Sequence, residues 1–235
     1  MAFQPIVRRI ENSERALYLT FDDGPDSVGT PLVLEVLRQH QVPATFFLVA
    51  EKAQSEKDLL EKIRRGGHAI GNHSLDHGYR SFFLGQTVML EWIQKAETVF
   101  KNLGIEPVGF RPPAGIRTPE LHRALSKLGI PLVLWDERFY DTRFSWTIER
   151  ANRSLARINP GAIILLHDRQ KAARVIEFTE TLSFFIAEGQ KRGFQFRALS
   201  RELCETGRAG VVGAVAGATT GATGATTGFT GAGRE

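Results

Sequence analysis

The sequence predicts an α/β fold in which parallel strands and helices alternate and close, or nearly close, into a barrel. Short apolar runs alternate with longer amphipathic segments along most of the chain. About seven such strand–helix units fit the 235 residues as one domain. Polar residues, Asp136 among them, follow the apolar runs, as they do where a barrel collects its strand ends on one face. A doubly wound open sheet is the architectural alternative.

Strands are predicted by nearly continuous apolar runs, which are typical of buried parallel strands. In chain order these runs cover residues 16–21, 44–49, 68–72, 131–135, 162–166 and 194–199. Helices are predicted by apolar residues at three- and four-residue spacing, several of them with Pro near the start or Gly after the end. They cover residues 30–40, 55–65, 85–103, 119–128, 147–158 and 172–192. Residues 107–111 lead into a proline turn, where one strand–helix unit has no long apolar run.

Composition and charge are those of an ordinary soluble domain with a mildly basic surface. Of the residues, 42% are hydrophobic. The net charge of +4 could help the protein approach an anionic polymer. The Lys and Arg residues are scattered without a dense block, so we do not expect nucleic-acid binding. Cys204 is the single cysteine, which excludes a disulfide within the chain.

The two ends of the chain differ from the middle. The first 15 residues contain no apolar stretch of signal-peptide length. At face value the chain is therefore not exported, but a leader removed from an envelope or secreted protein would leave the same sequence. Residues 208–235 form a Gly/Ala/Thr-rich tail that we expect to be disordered, after a catalytic domain at 1–207. Its Gly213, Gly217 and Gly221 have the spacing of packed membrane helices, but membrane association is disfavoured by its many Thr and Gly residues.

The first two polar clusters together suggest a metal site. Asp22 and Asp23 end the first strand and precede Gly-Pro, a combination that also occurs in plain surface turns. His73 and His77 are four residues apart, so a helical turn would place both imidazoles on one face. Two histidines and one carboxylate are a common catalytic zinc set, with positions left for water and substrate. The other carboxylate could then act as a general base.

Two further clusters supply an arginine and a third histidine. Arg111 lies in a rigid Pro-Pro turn and could orient a carboxylate through paired hydrogen bonds. An ordinary connection with a surface Arg is the alternative. His167 ends the strand at 162–166, where a histidine near a metal could act as a general acid. A structural histidine is equally compatible with that position.

In this order the four clusters resemble the polysaccharide deacetylase family, the NodB-homology domains of carbohydrate esterase family 4. The resemblance rests on TFDDGP at residues 20–25, HSLDH at 73–77, RPPAG at 111–115 and LLHD at 165–168. It spans about residues 16–199 and leaves out the tail. It implies a distorted (β/α) barrel with the active site at the C-terminal ends of the strands.

The resemblance also implies a role for each matched residue. The metal ligands are Asp23, His73 and His77, and the metal is zinc or another divalent ion such as cobalt. Asp22 is the general base, Arg111 holds it in orientation, and His167 protonates the leaving amine. The matched residues that contact the substrate are Ala114 through its backbone N–H, Leu165 at the acetyl methyl, and Pro112.

The sequence departs from the family pattern at the fourth motif, which usually ends in Asp-Trp. By spacing, Asp141 matches the Asp that tunes the catalytic histidine, and Thr142 occupies the Trp position. Trp146 is then the nearest candidate to wall the acyl pocket. This altered wall leaves open an N-formyl or other small acyl group.

The resemblance implies a metal-dependent hydrolase that removes N-acetyl groups from amino sugars of a peptidoglycan-like or chitin-like glycan. A deacylase of an acetyl ester or a formamido sugar is the first alternative, and a non-catalytic carbohydrate-binding relative is the second. The expected partner is the N-acetylated glycan. A monomer is favoured, although the sequence leaves the oligomeric state open.

Overall fold

The computed structural model of the protein describes residues 6–11 and 14–207. The predictions made for the tail at 208–235 lie outside the described residues. Within the described part, eight strands and eight α-helices follow one another, with two short 3₁₀ helices at Arg80–Phe83 and Pro113–Gly115. No helix in this part is both long and apolar enough to cross a membrane.

The strands are short and all their pairings within sheets are parallel. They are β1 Ile6–Val7, β2 Ala16–Asp22, β3 Thr45–Leu48, β4 Ala69–Asn72, β5 Leu132–Val133, β6 Glu137–Arg138, β7 Ile163–His167 and β8 Gln195–Phe196. The main sheet has the order β4-β3-β2-β7-β6, with β8 paired to the start of β2, and β1 pairs with β5. Phe110 joins the two parts, because it bridges Asn72 of β4 on one side and Leu132 of β5 on the other. This order of paired strands confirms the predicted barrel and shows that the barrel is distorted.

The helices pack around the strands. They are α1 Gly29–His40, α2 Ala50–Ser55, α3 Lys57–Arg65, α4 Gln86–Asn102, α5 Pro119–Leu128, α6 Ile148–Leu155, α7 Val175–Lys191 and α8 Arg201–Thr206. Both ends of α5 are capped. Thr118 caps it by accepting a hydrogen bond from the Leu121 N–H, and Gly129 ends it in a left-handed conformation. The helix predicted at 55–65 is confirmed as α3, which begins two residues later, whereas α2 was not predicted.

Alternation along the strands divides the core into an inner and an outer part. Tyr18, Phe47, Val133 and Ile163 come from four different strands and form one cluster, which also contains Cys204. Their immediate neighbours, such as Leu17, Phe46 and Ile164, belong to a second cluster that includes residues of α1 and α7. Because successive side chains of a strand point to opposite faces, the first cluster fills the barrel and the second lies beneath the helices. The polar residues of the predicted site continue the inner face beyond Tyr18 and Ile163.

Candidate metal centre and active site

The predicted base and the predicted acid face each other across two neighbouring strands. β2 and β7 pair in parallel register, with Asp22 opposite His167 at their C-terminal ends. Thr20 and Leu165 form the pair two residues earlier and therefore share the same face. His73 follows β4, and its backbone N–H donates to the carbonyl of Leu48 at the end of β3. The barrel thus collects these residues at one end, as predicted from the polar clusters.

Asp23, His73 and His77 have the geometry of a three-ligand metal centre. Each offers a ligand atom, and the three atoms lie within 4.8 Å of one another. The Oδ1 atom of Asp23 is 3.3 Å from His73 Nε2 and 3.1 Å from His77 Nε2. Tetrahedral zinc with bonds of about 2.0–2.2 Å would separate its ligand atoms by about 3.3–3.5 Å. The three residues therefore fit a divalent ion with little movement.

The backbone around the ligands is held in left-handed conformations rather than in a helix. Asp23, Ser74 and His77 have φ values of 76°, 84° and 61°. The helical turn predicted to pair His73 with His77 is wrong, because residues 73–79 form an irregular loop. Within that loop the His77 N–H donates to the Ser74 hydroxyl at 3.0 Å. Left-handed backbone is unfavourable for residues other than Gly, and local hydrogen bonds hold it here.

Surrounding groups orient the candidate ligands. His73 Nδ1 lies 2.8 Å from the backbone oxygen of Arg111, so a proton on Nδ1 leaves the Nε2 lone pair free for a metal. The Lys52 ammonium donates to the backbone oxygen of Asp23 at 2.7 Å and fixes the acidic turn. Burial alone would raise the pKa of the Asp23 carboxyl, but hydrogen bonds to His73 and His77 hold that pKa well below its usual range.

Arg111 is fully buried and uses its guanidinium as a brace for Asp22. Its Nη1 donates at 2.7 Å both to Asp22 Oδ1 and to the Thr20 hydroxyl, and Nη2 donates to the Leu134 carbonyl at 3.0 Å. The Phe47 ring covers the guanidinium at 3.9 Å. Burial lowers the pKa of Arg111 and the charge of Asp22 opposes this shift. With Oδ1 engaged, Asp22 presents Oδ2 toward the metal centre, 3.9 Å from His73 Nε2.

His167 is paired with the Asp that spacing selected. Asp141 accepts at 3.0 Å from His167 Nδ1 and at 2.9 Å from the His167 backbone N–H. The Gln170 amide donates to the same carboxylate at 2.8 Å. Burial alone would lower the pKa of His167, but the hydrogen bond and charge of Asp141, with Asp22 and Asp23 adding to them, raise it to about 9. The imidazole is therefore protonated at neutral pH, with Nε2 as its free donor.

The predicted substrate contacts are placed unequally. Ala114 is exposed beside the site with a φ of 53°, and Pro112 is buried in the same turn. Leu165 is 2% exposed on the face that carries His167. Trp146 does not reach this face. It is 2% exposed and stacks on Phe139 at 4.7 Å in the core outside the barrel, so the structure does not support Trp146 as the pocket wall.

The predicted position of Asp136 is wrong as well. We expected it at the same end of the barrel because it follows an apolar run. Its N–H instead donates to the carbonyl of Ile163, the first residue of β7, and its carboxylate pairs with Arg9. Ile163 is four residues before His167, or about 13 Å along the strand. Asp136 therefore lies away from the metal centre.

Three residues of the site region were missed by sequence reasoning. Thr20 joins Arg111 to the Ile164 carbonyl, and its position two residues before Asp22 on a strand would have indicated the shared face. Gln170 holds Asp141 from a loop and carries no comparable signal. Trp135 lies 5.9 Å from the Arg111 guanidinium, and its place at the end of an apolar run predicts a strand residue but no role in the site.

A parallel barrel that brings an Asp–His–His centre together with a braced carboxylate and a protonated histidine has the arrangement of a metal-dependent hydrolase. The match to known proteins narrows this class. Residues 9–133 match the family model described as polysaccharide deacetylase. The chain belongs to the polysaccharide deacetylase family, which confirms the resemblance found in the four motifs.

Similar proteins agree with this assignment. The chain is 30% identical to the peptidoglycan-N-acetylglucosamine deacetylase of Bacillus cereus, over 83% of this chain and 91% of the relative. It is 32% identical to the chitooligosaccharide deacetylase of a Bradyrhizobium species, over 79% and 89%. Among solved structures, a family 4 acetyl xylan esterase from Clostridium thermocellum in complex with a cobalt ion is 31% identical, with a TM-score of 0.68 over 78% of this chain and 87% of the other.

Proposed function

We propose that the protein is a metal-dependent deacetylase that hydrolyses the acetamido group of an amino sugar in a glycan, releasing acetate and a free amine. The observation that carries this proposal is the pairing of Asp22 with His167 at the same register of β2 and β7, next to Asp23, His73 and His77. Amide hydrolysis needs a base for the attacking water and an acid for the leaving nitrogen. Asp22 is placed to act as the base, and His167 is placed to act as the acid.

The candidate metal centre would hold zinc, which suits two imidazoles and one carboxylate, with cobalt as a substitute of similar ligand preference. A metal bound there supplies Lewis acidity toward the acetamide carbonyl and favours deprotonation of water. The chain's own residues divide the remaining work. Asp23, His73 and His77 bind the ion, and the Nδ1 contact of His73 keeps that ring in the ligating orientation.

Proton movement is assigned to Asp22 and His167. Asp22 Oδ2 accepts the proton of the water that adds to the carbonyl carbon, while Arg111 holds Oδ1 in place. His167 Nε2 donates a proton to the sugar nitrogen as the carbon–nitrogen bond breaks. Asp141 keeps His167 charged and correctly turned for this transfer. The backbone N–H of Ala114 is proposed to donate to the oxyanion, and Leu165 to contact the acetyl methyl.

Acetate release tests the proposal directly. We expect the zinc-loaded protein to release acetate from chitooligosaccharides or peptidoglycan, and a chelator to abolish the release. Acetylated xylan serves as the ester comparison. Release from xylan alone would replace the amide assignment with ester hydrolysis, and no release from any of the three would refute the proposed function.

The Asp22→Asn variant separates base from ligand. Removing a general base costs about 10²- to 10⁴-fold in rate, whereas the candidate ligands are untouched. We therefore expect acetate release to fall by about that factor with zinc content unchanged by elemental analysis. The matched control is Asp58→Asn, which removes an exposed carboxylate in the first turn of α3. Wild-type turnover in Asp22→Asn would exclude Asp22 as the base.

A further inference from the structure

The loops beside His167 carry positive charge without exposed negative charge. These loops are residues 139–147, which precede α6, and residues 168–174, which follow β7. Arg143, Arg169 and Lys171 are exposed on them. The acidic residues of the two loops, Asp141 and Asp168, are both at most 2% exposed. The exposed charges of these two loops are therefore positive, and the nearest exposed carboxylate is that of Glu177 in α7, which accepts from the Ser145 hydroxyl.

Arg138 brings this charge to the edge of the active site. β6 pairs with β7 so that Arg138 lies opposite Leu165, two residues before His167. Neighbouring strands are about 4.8 Å apart, so the Arg138 backbone is next to the residue proposed to contact the acetyl methyl. Arg138 itself is exposed, whereas Leu165 is buried. Its side chain thus starts beside Leu165 and ends in solvent.

Two aromatic rings hold the guanidinium of Arg138. Its central carbon lies 4.4 Å from the centre of the Tyr140 ring and 5.7 Å from that of Trp135. Trp135 is fixed in turn by close packing, since a Cβ at Gly115 would lie 2.6 Å from its ring. Rings that contact the face of a guanidinium leave its N–H groups free along the edge. The stack Trp135–Arg138–Tyr140 therefore presents a positioned row of hydrogen-bond donors.

The charge of Arg138 is not neutralised by the protein. Among the ion pairs of residues 6–11 and 14–207, none includes Arg138, Arg143, Arg169 or Lys171. The carboxylate nearest in sequence, Glu137, has its pKa raised first by burial and then by Asp136, with Arg157 and Arg9 opposing. A planar guanidinium held at a rim without a counter-ion is suited to donate paired hydrogen bonds to a ligand carboxylate.

We propose that Arg138 determines specificity by binding a carboxylate carried by the glycan next to the acetamido sugar. The protein would then prefer a glycan whose sugars bear carboxylates, as in a lactyl ether or a uronic acid, over a neutral glycan. Arg143, Arg169 and Lys171 attract the same chain at longer range. This inference rests on the proposed deacetylase function and names the substrate class of that site.

The test compares two substrates that differ in charge and in one methyl group on each carboxyl. One is a soluble oligosaccharide of alternating N-acetylglucosamine and N-acetylmuramic acid, and the other is the same oligosaccharide with its carboxyls converted to methyl esters. We expect kcat/KM for acetate release to be at least about tenfold higher for the free acid, the size of a charge-assisted hydrogen bond. Raising the ionic strength should reduce this preference.

Variants assign the preference to Arg138. Arg138→Gln should bring the ratio of kcat/KM for the two substrates to within about twofold, chiefly by loss on the free acid, and Arg138→Lys should restore part of it. Arg197→Gln is the matched control, because it removes one exposed positive charge near the start of β2, at the opposite end from Asp22. It should leave the ratio unchanged.

The outcomes separate this inference from the function on which it rests. If neither substrate yields acetate, the proposed function fails. If both yield acetate equally in the wild type, only the carboxylate preference is overturned. An equal loss on both substrates in Arg138→Gln would make Arg138 a packing residue for Trp135 and Tyr140 and would also overturn it.

Discussion

At the residue scale, two titratable groups on adjacent strands are given opposite tasks by their surroundings. Asp22 accepts at Oδ1 from the Arg111 guanidinium, which leaves Oδ2 facing the metal centre. His167 receives a carboxylate from Asp141, which favours its protonated form. A carboxylate held in orientation as a base then lies next to a histidine held in its protonated form as an acid. The two bracing residues therefore matter as much as the pair that they brace.

The Asp141→Asn variant is expected to shift the alkaline limb of the pH profile. His167 must be protonated to act as an acid, so kcat/KM should fall as pH rises through its pKa. Asp141 is the main group that raises this pKa to about 9, against the effect of burial. Without that charge, the limb should move to lower pH by at least about one unit. The measurement is kcat/KM for acetate release as a function of pH.

The control for this shift is Asp136→Asn. Asp136 also carries a carboxylate close in sequence, but it pairs with Arg9 and lies near the start of β7. The alkaline limb of the kcat/KM profile of Asp136→Asn should match that of the wild type. An alkaline limb in Asp141→Asn that coincides with the wild-type limb would mean that another group, not His167, supplies the acid.

Single residues were predictable where a polar side chain directly follows a buried strand. Asp22, His73 and His167 all satisfy that local pattern, and the structure brings them together. Trp146 was chosen because it is near Thr142 in sequence, but three rings draw it into the core instead: Phe139, Phe178 and Phe185. Such packing depends on α7, far along the chain, and no local pattern reports it.

At the element scale, the acidic turn between β2 and α1 packs closely against the end of β7. Asp168 follows His167, is fully buried, and accepts a hydrogen bond from the Thr30 hydroxyl of α1 at 2.5 Å. Its carboxyl fills the space that a side chain at position 24 would need, because a Cβ added to Gly24 would lie 2.3 Å from Asp168 Oδ2. Burial raises the pKa of Asp168 to about 7. The absent side chain of Gly24 is thus what lets Asp23 lie beside the metal centre.

Gly24→Ala should destabilise the protein and weaken metal binding together. The added methyl collides with a carboxyl that Thr30 and burial hold in place, and overpacking of this kind costs about 1–3 kcal/mol. A shift of the turn that relieves the clash would move Asp23 relative to His73 and His77. We expect a lower melting temperature and a higher zinc dissociation constant, measured by thermal unfolding and by competition with a chelating dye.

A double variant isolates the cause. Asp168→Ala removes the atoms that the new methyl would meet, so Gly24→Ala should cost less in that background than in the wild type. Strict additivity of the two free-energy changes would show that the contact between Gly24 and Asp168 does not constrain the turn. A wild-type melting temperature in Gly24→Ala alone would show the same.

Loops were the elements that the sequence predicted least well. Spacing of four residues suggested a helical turn for His73 and His77, but left-handed φ values at Ser74 and His77 bring the rings together in another way. The centres of the two rings are 5.1 Å apart. Asp76 anchors this loop by accepting from the Trp92 indole of α4 at 2.9 Å. A contact between a loop and a later helix has no signal in the local pattern.

At the scale of the whole molecule, the alternation of strands and helices was enough to predict the barrel. The long apolar strands β2 and β7 carry this signal, because they form the centre of the main sheet and are buried on both faces. The short strand β5 was predicted by the apolar run at 131–135, whereas β6 was not, since two residues cannot show a period. Their register depends on neighbours such as Phe110 and β7. The distortion of the barrel lies in this part of the circuit.

Metal binding should stabilise the whole fold, because the candidate ligands come from two separate parts of the barrel. Asp23 follows β2, whereas His73 and His77 follow β4. An ion that binds only the folded chain adds about 2.7 kcal/mol when its concentration is 100 times its dissociation constant. For a domain of this size, that corresponds to a rise in melting temperature of roughly 5–10 °C. The measurement is thermal unfolding of the metal-free protein with and without added zinc.

Two variants test whether this rise in melting temperature depends on the proposed metal centre. His77→Ala removes one ligand, and the zinc-dependent rise should largely disappear. Asp22→Asn keeps all three ligands, and the rise should remain even though turnover is lost. Stabilisation that is equal in His77→Ala and in the wild type would place the ion elsewhere in the molecule. Loss of the rise in Asp22→Asn would instead make Asp22 a ligand, and the division of labour between the two adjacent carboxylates would have to be reassigned.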